Sequence, residues 1–174
     1  MEDRQSSIAE VINVAEEIQV FVDGSAIDRK VGAAAVLFKQ GGDSGTLHFH
    51  LRPKLEHTVH EVELVGLVLG LHLINGQCKG HKAMAIGIDN QAMLKVFYLD
   101  LRRLGHHLVR EVLHMANKAK KLQENASYKL TVCWAAGHEG IMGNKMVDAE
   151  AKKAAAELLS LRSSLPPYLR KPIP

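Results

Sequence analysis

The order in which strand-type and helix-type patterns follow one another limits this chain to very few folds. Three β-rich runs come first, at 18–22, 31–38 and 46–51, and tight turns rich in glycine and aspartate join them. Consecutive strands joined in this way form an antiparallel meander. Two further strand patterns, at 82–88 and 129–134, then alternate with helical segments. We expect an α/β fold with a five-stranded mixed sheet, an antiparallel meander plus parallel strands, and helices on both faces.

The helical segments are predicted at 58–74, 90–98, 106–124 and 144–161. The first of them is apolar nearly all round, which is typical of a helix buried against a sheet. Thr58 and Glu61 have the three-residue spacing of a capping box, in which each side chain bonds the other residue's backbone N–H.

The length of 174 residues suits one compact domain. Residues 1–17 are predicted to be an N-terminal extension with a short helix, 18–161 the main domain, and 162–174 a proline-rich tail that acts as a linker. No apolar run reaches the length of a bilayer span, and the acidic, polar start is unlike a signal peptide. We therefore expect an intracellular protein of the cytoplasm or nucleus, neither secreted nor in a membrane.

Four carboxylates occupy positions where different elements converge. Asp23 and Asp89 each follow a buried strand, Glu63 lies early in the apolar helix, and Asp148 lies early in the last helix. Side chains beyond the carboxyl ends of parallel strands meet at one edge of the sheet. Gathered carboxylates repel one another unless hard cations such as Mg²⁺ neutralise them. Two such ions, about 4 Å apart, are a common arrangement for phosphodiester hydrolysis.

Each acid also has an ordinary explanation. Asp23 is a typical turn residue, Asp89 a typical helix N-cap, and Asp148 has lysines near it with which a surface carboxylate can pair. Glu63 is the most informative, because a carboxylate on a buried helix needs a partner.

His138 lies in a loop between two glycines, ten residues before Asp148. A histidine there is either ordinary polar surface or a mobile proton shuttle beside a metal site. His48 and His50 share one face of a strand, but no cysteine stands at zinc-ligand spacing, so we expect them to face solvent or a phosphate.

Four segments resemble, in order, the motifs of type 1 ribonuclease H: VDGS at 22–25, EL at 63–64, IDN at 88–90 and WAAGHEGIMGNKMVD at 134–148. The resemblance extends over roughly 19–159. Within that family the chain is most similar to the ribonuclease H domain of retrotransposon reverse transcriptases, particularly fungal ones. The segments that carry this narrower resemblance are DNQ at 89–91, GHEGI at 137–141 and LPP at 165–167.

The resemblance implies a ribonuclease H-like catalytic domain at 18–161, an endonuclease that hydrolyses the RNA strand of RNA–DNA hybrids. It makes Asp23, Glu63, Asp89 and Asp148 the catalytic acids that hold two Mg²⁺ or Mn²⁺ ions, with His138 assisting turnover. The residues that it places against nucleic acid are Gly24, Ser25, Thr58, Asn90, Gln91 and Asn144, with Thr58 at a phosphate of the DNA strand.

A net charge of +3 agrees with a phosphate-backbone partner. The resemblance further implies a covalently linked reverse transcriptase in a polyprotein, and a monomer when the domain is isolated. Two alternatives stay open at this point. One is a catalytically weak nucleic-acid-binding module of the same fold, and the other is a different nuclease of that fold.

Overall fold

The computed structural model describes residues 17–40, 45–51, 58–76, 83–98, 107–126, 129–135, 140–171 and 173. Its strands are β1 (Ile18–Ile27), β2 (Lys30–Lys39), β3 (Gly45–Leu51), β4 (Ala83–Ile88) and β5 (Lys129–Trp134). Its α-helices are α1 (Val59–Gly76), α2 (Gln91–Tyr98), α3 (His107–Ala126) and α4 (Met142–Ala155). The helix expected within 1–17 lies outside the described residues, apart from Glu17.

All five strands form one sheet in the order β3-β2-β1-β4-β5. The pairs β1–β2 and β2–β3 are antiparallel, whereas β1–β4 and β4–β5 are parallel. The predicted mixed sheet is confirmed. The strand β1 is longer than expected, because its pairing with β2 continues from Ile18 to Ile27, past the residues that we read as a turn.

Helices cover both faces of the sheet, as predicted. On one face α1 packs on the sheet and α3 packs on α1, around a core of large aliphatic side chains. On the other face α4 packs on β1 and β2, and the core there is smaller. Its buried members are Phe21, Ala34, Val36, Cys133, Ala135, Ile141, Val147 and Ala151.

The helix α1 is the one helix of the described part that is long and apolar enough to cross a membrane by length and composition. In this fold 61% of its residues are buried inside the protein. Packing between the sheet and α3 therefore accounts for its apolar sequence.

The helix α4 ends at Ala155, six residues before the predicted end at 161. The N–H of Glu157 bonds the carbonyl of Ala154, and the N–H of Leu158 bonds that of Lys153, which is a Schellman ending. Glu157 takes the left-handed conformation, φ 73°, that glycine usually supplies there. Its carboxylate pairs with Lys30 at 2.5 Å.

Residues 156–171, here called the strap, carry the chain from α4 around the β3 edge of the sheet to the α1 face. At the edge, Ser160 accepts a hydrogen bond from the N–H of His48 and donates its own N–H to the His48 carbonyl. On the α1 face, Leu165 and Leu169 are buried in the large core, and Pro167–Arg170 form a 3₁₀ helix. The prediction of a linker was wrong for the described part of the tail, because Leu165 and Leu169 pack into the core there.

The strand β3 is also held to α4 through two histidines. His48 Nε2 lies 2.5 Å from a carboxylate oxygen of Glu150, and His50 Nδ1 lies 3.0 Å from the carbonyl of Ala154. Both contacts are partly buried. The expectation that these side chains face solvent or a phosphate was wrong, since they link sheet and helix.

Candidate active site

The register of the sheet brings Asp23 and Asp89 together. The parallel pairing of β1 with β4 ends at Val22 and Ile88, so Asp23 and Asp89 directly follow the paired segment. Asp23 stays within β1, because β2 continues to pair with β1 beyond it. The indole N–H of Trp134 donates to the backbone carbonyl of Asp89 at 2.9 Å and fixes the chain as it leaves β4.

Close packing of α1 on β1 delivers Glu63 to the same place. A Cβ on Gly24 would lie 2.7 Å from Cγ1 of Val62, and a Cβ on Gly66 would lie 3.2 Å from the carbonyl oxygen of Asp23. Two glycines thus allow helix and strand to approach at the level of the acids. Glu63 projects from the second turn of α1 into this contact and is only 8% exposed.

Asp23, Glu63 and Asp89 form a compact cluster, in which carboxylate oxygens, one from each residue, lie within 4.8 Å of one another. Burial, reinforced by the charge of Asp89, raises the pKa of Asp23 to about 7. Burial, reinforced by Asp23 and Asp89, raises the pKa of Glu63 to about 8. The N–H of Gly24 donates to Asp23 at 2.8 Å and offsets part of that effect. The donor set is entirely carboxylate oxygen, which fits a hard divalent cation.

Asp148 lines the same cleft but stands outside this three-acid cluster. The cleft has a volume of about 370 Å³. Its lining residues are Val22, Asp23, Gly24, Glu63, Asp89, Gly140, Ile141, Asn144, Lys145, Val147 and Asp148. The Asp148 side chain is 47% exposed, and Lys152 contacts its carboxylate at 2.7 Å. Four acids from four elements therefore share one cleft, three of them in mutual contact range.

Comparison with known proteins supplies the family. The family model described as RNase H matches residues 15–156, which is most of the chain. The chain belongs to the RNase H family. The family assignment makes it a ribonuclease H hydrolase, and the motif order that suggested this class from sequence is confirmed at that level. No curated protein gave a significant match.

Three solved structures share the RNase H fold with this chain. The N-terminal RNase H domain of a Mycobacterium tuberculosis protein, solved as a fusion with maltose-binding protein, is 16% identical with TM-score 0.55, over 82% of this chain and 98% of that one. RNase H1 from Halobacterium salinarum is 14% identical with TM-score 0.52, over 81% and 98%. A type 1 RNase H with the type 2 active-site motif is 18% identical with TM-score 0.55, over 82% and 73%.

The predicted nucleic-acid contacts fall around the mouth of this RNase H cleft or on elements that lead into it. Gly24 lines the cleft and Ser25 follows it on β1. Asn90 caps α2 by accepting the N–H of Ala92 at 2.9 Å, and Gln91 next to it is exposed. The side chain of Asn144 donates to the carbonyl of Ala135 at 2.9 Å, so it ties the start of α4 to the end of β5.

Thr58 is exposed at the start of α1 and takes part in the expected capping box. Its N–H donates to the Glu61 carboxylate at 2.7 Å, and its hydroxyl accepts the N–H of Glu61 at 3.2 Å. The remaining predicted site residue, His138, lies outside the described residues.

Sequence reasoning missed one feature of the site and gave another only as an alternative explanation. Trp134 was read only as the end of a strand, and nothing local indicates that its indole would brace Asp89. The pairing of Lys152 with Asp148 did carry a signal, since residues four apart on a helix are neighbours. We had used those lysines only as the ordinary explanation of Asp148.

Proposed function

We propose that this RNase H family chain is an endonuclease that cleaves the RNA strand of RNA–DNA hybrids with two divalent ions, Mg²⁺ or Mn²⁺, at Asp23, Glu63, Asp89 and Asp148. The three-acid cluster carries this proposal. Its carboxylate oxygens lie within 4.8 Å of one another, and the raised pKa values of buried Asp23 and Glu63 express the cost of ionising these two acids without a cation. A divalent ion removes that cost.

Each acid has a role that follows from its place. Asp23, Glu63 and Asp89 would hold one ion among them, because their carboxylate oxygens lie within 4.8 Å of one another. Asp148 would contribute to the second ion from the same cleft. Ions bound there supply an activated water and neutralise charge on the phosphate during hydrolysis.

Recognition of the hybrid is proposed to use the residues around the cleft mouth. Gly24, Ser25, Asn90, Gln91 and Asn144 would contact the RNA strand, whose 2′-hydroxyls distinguish it from DNA. Exposed Thr58 would contact a phosphate of the DNA strand from the start of α1. His138 would move a proton at the cleft, supported by its position just before Gly140, which lines it.

The biological setting is a narrower part of the proposal. Motif resemblance alone supports an origin in a fungal-type retrotransposon, with a reverse transcriptase linked to this domain. We further propose a monomeric domain that acts inside the cell, in the cytoplasm or nucleus.

The deciding experiment is cleavage of a body-labelled RNA–DNA hybrid with and without Mg²⁺. We expect Mg²⁺-dependent cutting of the RNA strand, and Asp23→Asn should slow it more than about a hundredfold, above the loss typical of outer-shell partners of a metal. Asp28→Asn is the matched control. Asp28 lies exposed in the β1–β2 turn with φ 48°, which asparagine also tolerates.

Parallel substrates separate the alternatives. Equal cutting of duplex DNA would indicate another nuclease of the same fold, and tight hybrid binding without cutting would indicate a binding module. Cleavage that is equally fast in Asp23→Asn and the wild type would contradict the proposed site.

A further inference from the structure

Two lysine–carboxylate pairs lie side by side on α4, in different surroundings. Lys152 Nζ contacts Asp148 at 2.7 Å, and Lys153 Nζ contacts Glu150 at 2.6 Å. Glu150 also bonds His48 of β3, away from the cleft lining. Asp148 lines the acidic cleft. The carboxylate of the first pair thus lines the cleft, and neither residue of the second pair does.

The charge of Lys152 acts on the site beyond its own ion pair. It lowers the pKa of Asp23, against the stronger effect of burial, and the pKa of Lys152 is itself raised by Asp148 first and by Asp23 as well. In the described part of the chain, the close carboxylate cluster contains three acids, and Asp148 is not one of them. The carboxylate that would complete the site is held by a lysine instead.

We propose that Lys152 occupies Asp148 in the metal-free protein and competes with the second divalent ion for that carboxylate, which sets the affinity of the second ion. This inference rests on the proposed function, because it takes Asp148 as a ligand. The ammonium group of Lys152 and a divalent cation would compete for the same carboxylate oxygens of Asp148.

The ion pair between Lys152 and Asp148 is weak enough for a divalent ion to displace it. Both side chains are about half exposed, and exposed pairs four residues apart on a helix are weak. Lysine has one charge on a flexible stem, so it can leave the carboxylate and remain solvated. The expected consequence is that the ion held by Asp148 binds more weakly than it would without Lys152. Lys152 is a positioning residue in this scheme.

The test is a Mn²⁺ titration of the full chain without nucleic acid, with free Mn²⁺ measured by electron paramagnetic resonance. Lys152→Gln should tighten the weaker ion about two- to fivefold, the size expected for loss of an exposed pair, and should change the affinity of the tighter ion less. Lys152→Arg keeps the charge and should not tighten the weaker ion. Lys153→Gln, the neighbouring pair, is the matched control and should change neither ion.

Asp148→Asn separates competition from a general charge effect. In that background Lys152→Gln should no longer tighten the weaker ion, because the contested ligand is gone. One ion in the wild type and two in Lys152→Gln would support the proposal in its strongest form. Unchanged or weaker binding in Lys152→Gln, or an equal gain in Lys153→Gln, would overturn it while leaving the three-acid site intact. A wild type that binds no Mn²⁺ would overturn both this inference and the proposed metal site.

Discussion

The two ends of α1 lie in regions that have opposite effects on stability. Near its start, Glu63 is buried against two other acids, and the raised pKa values show that this packing opposes ionisation. Towards its end, the strap covers the helix, with Leu165 and Leu169 in the core and the Ser164 carbonyl 3.1 Å from Nε2 of His72. The first region gives up stability by holding three acids together, whereas the second supplies stability.

The contrast explains why the strap belongs to the fold. Beyond its leucines, Arg170 donates from Nε to the carbonyl of Leu165 and from Nη2 to that of Ser163, which ties the strap to itself. At the β3 edge, Ser160 pairs with strand atoms that would otherwise be open to another chain. These contacts of the strap offset the stability that the domain loses by burying its acids at the other end of α1.

The largest expected effect on stability comes from the strap. Leu169→Ala should lower the free energy of unfolding by about 2 to 5 kcal/mol, because it removes most of a side chain that is 3% exposed in the core. Chemical denaturation measures this. The affinity for Mn²⁺ below the melting temperature should not change, since the cleft is lined by other elements.

Leu161→Ala is the control within the strap. Leu161 is 78% exposed, so its truncation should change stability by less than about 0.5 kcal/mol. Equal effects of the two substitutions would show that the strap is not packed as described, and would remove one side of the comparison.

The next effect comes from the strained end. The pKa of Glu63 rises from 4.5 to about 8 and that of Asp23 from 3.8 to about 7, so the folded metal-free protein holds protons that the unfolded chain has lost. This contribution to stability is complete below about pH 4 and is lost as the pH rises to about 8. Between pH 5.5 and 8.5, the melting temperature of the wild type should therefore fall by about 5 °C relative to Glu63→Gln.

The comparison with Glu63→Gln matters because other groups titrate in the same range, His72 among them, whose pKa is lowered mainly by burial. Mg²⁺ at pH 8.5 should restore much of the loss in the wild type and less in the variant. Melting curves that shift in parallel with pH for both proteins would contradict the strain assigned to the cluster.

The smallest effect is expected at Thr58, whose side chain caps α1 and is also proposed to contact a phosphate of the DNA strand. Thr58→Ala removes the hydroxyl that accepts the Glu61 N–H and should cost about 1 kcal/mol of stability. It should also weaken hybrid binding if the proposed phosphate contact exists. Thr58→Ser keeps the hydroxyl and should preserve both properties. A loss of stability with unchanged hybrid affinity would assign Thr58 to the cap alone.

The sequence predicted the elements that have a periodic apolar pattern or a recognisable end. Apolar, β-rich runs identified all five strands, and residues next to strand ends identified Asp23 and Asp89 as neighbours. Glu63 was found because a carboxylate in an apolar helix is unusual. These inferences succeeded because they depend on periodicity and on the direction of parallel strands, which are local properties with global consequences.

The parts that were missed depend on contacts between distant segments. Prolines in 162–174 suggested a linker, since nothing local shows that Leu165 and Leu169 reach the core. The end of α4 was misplaced because Glu157, not glycine, takes the left-handed position, and its partner Lys30 is remote in sequence. The burial of His48 and His50 likewise follows from where α4 packs on β3.

The bond from the Trp134 indole to the Asp89 carbonyl gives this protein a built-in optical reporter. The chain contains a single tryptophan, Trp134, so all tryptophan emission comes from one side chain. That side chain contacts the backbone of Asp89, a residue of the three-acid cluster. Intrinsic fluorescence can therefore follow events at the cleft without any attached dye, and the wild-type sequence serves as its own sensor.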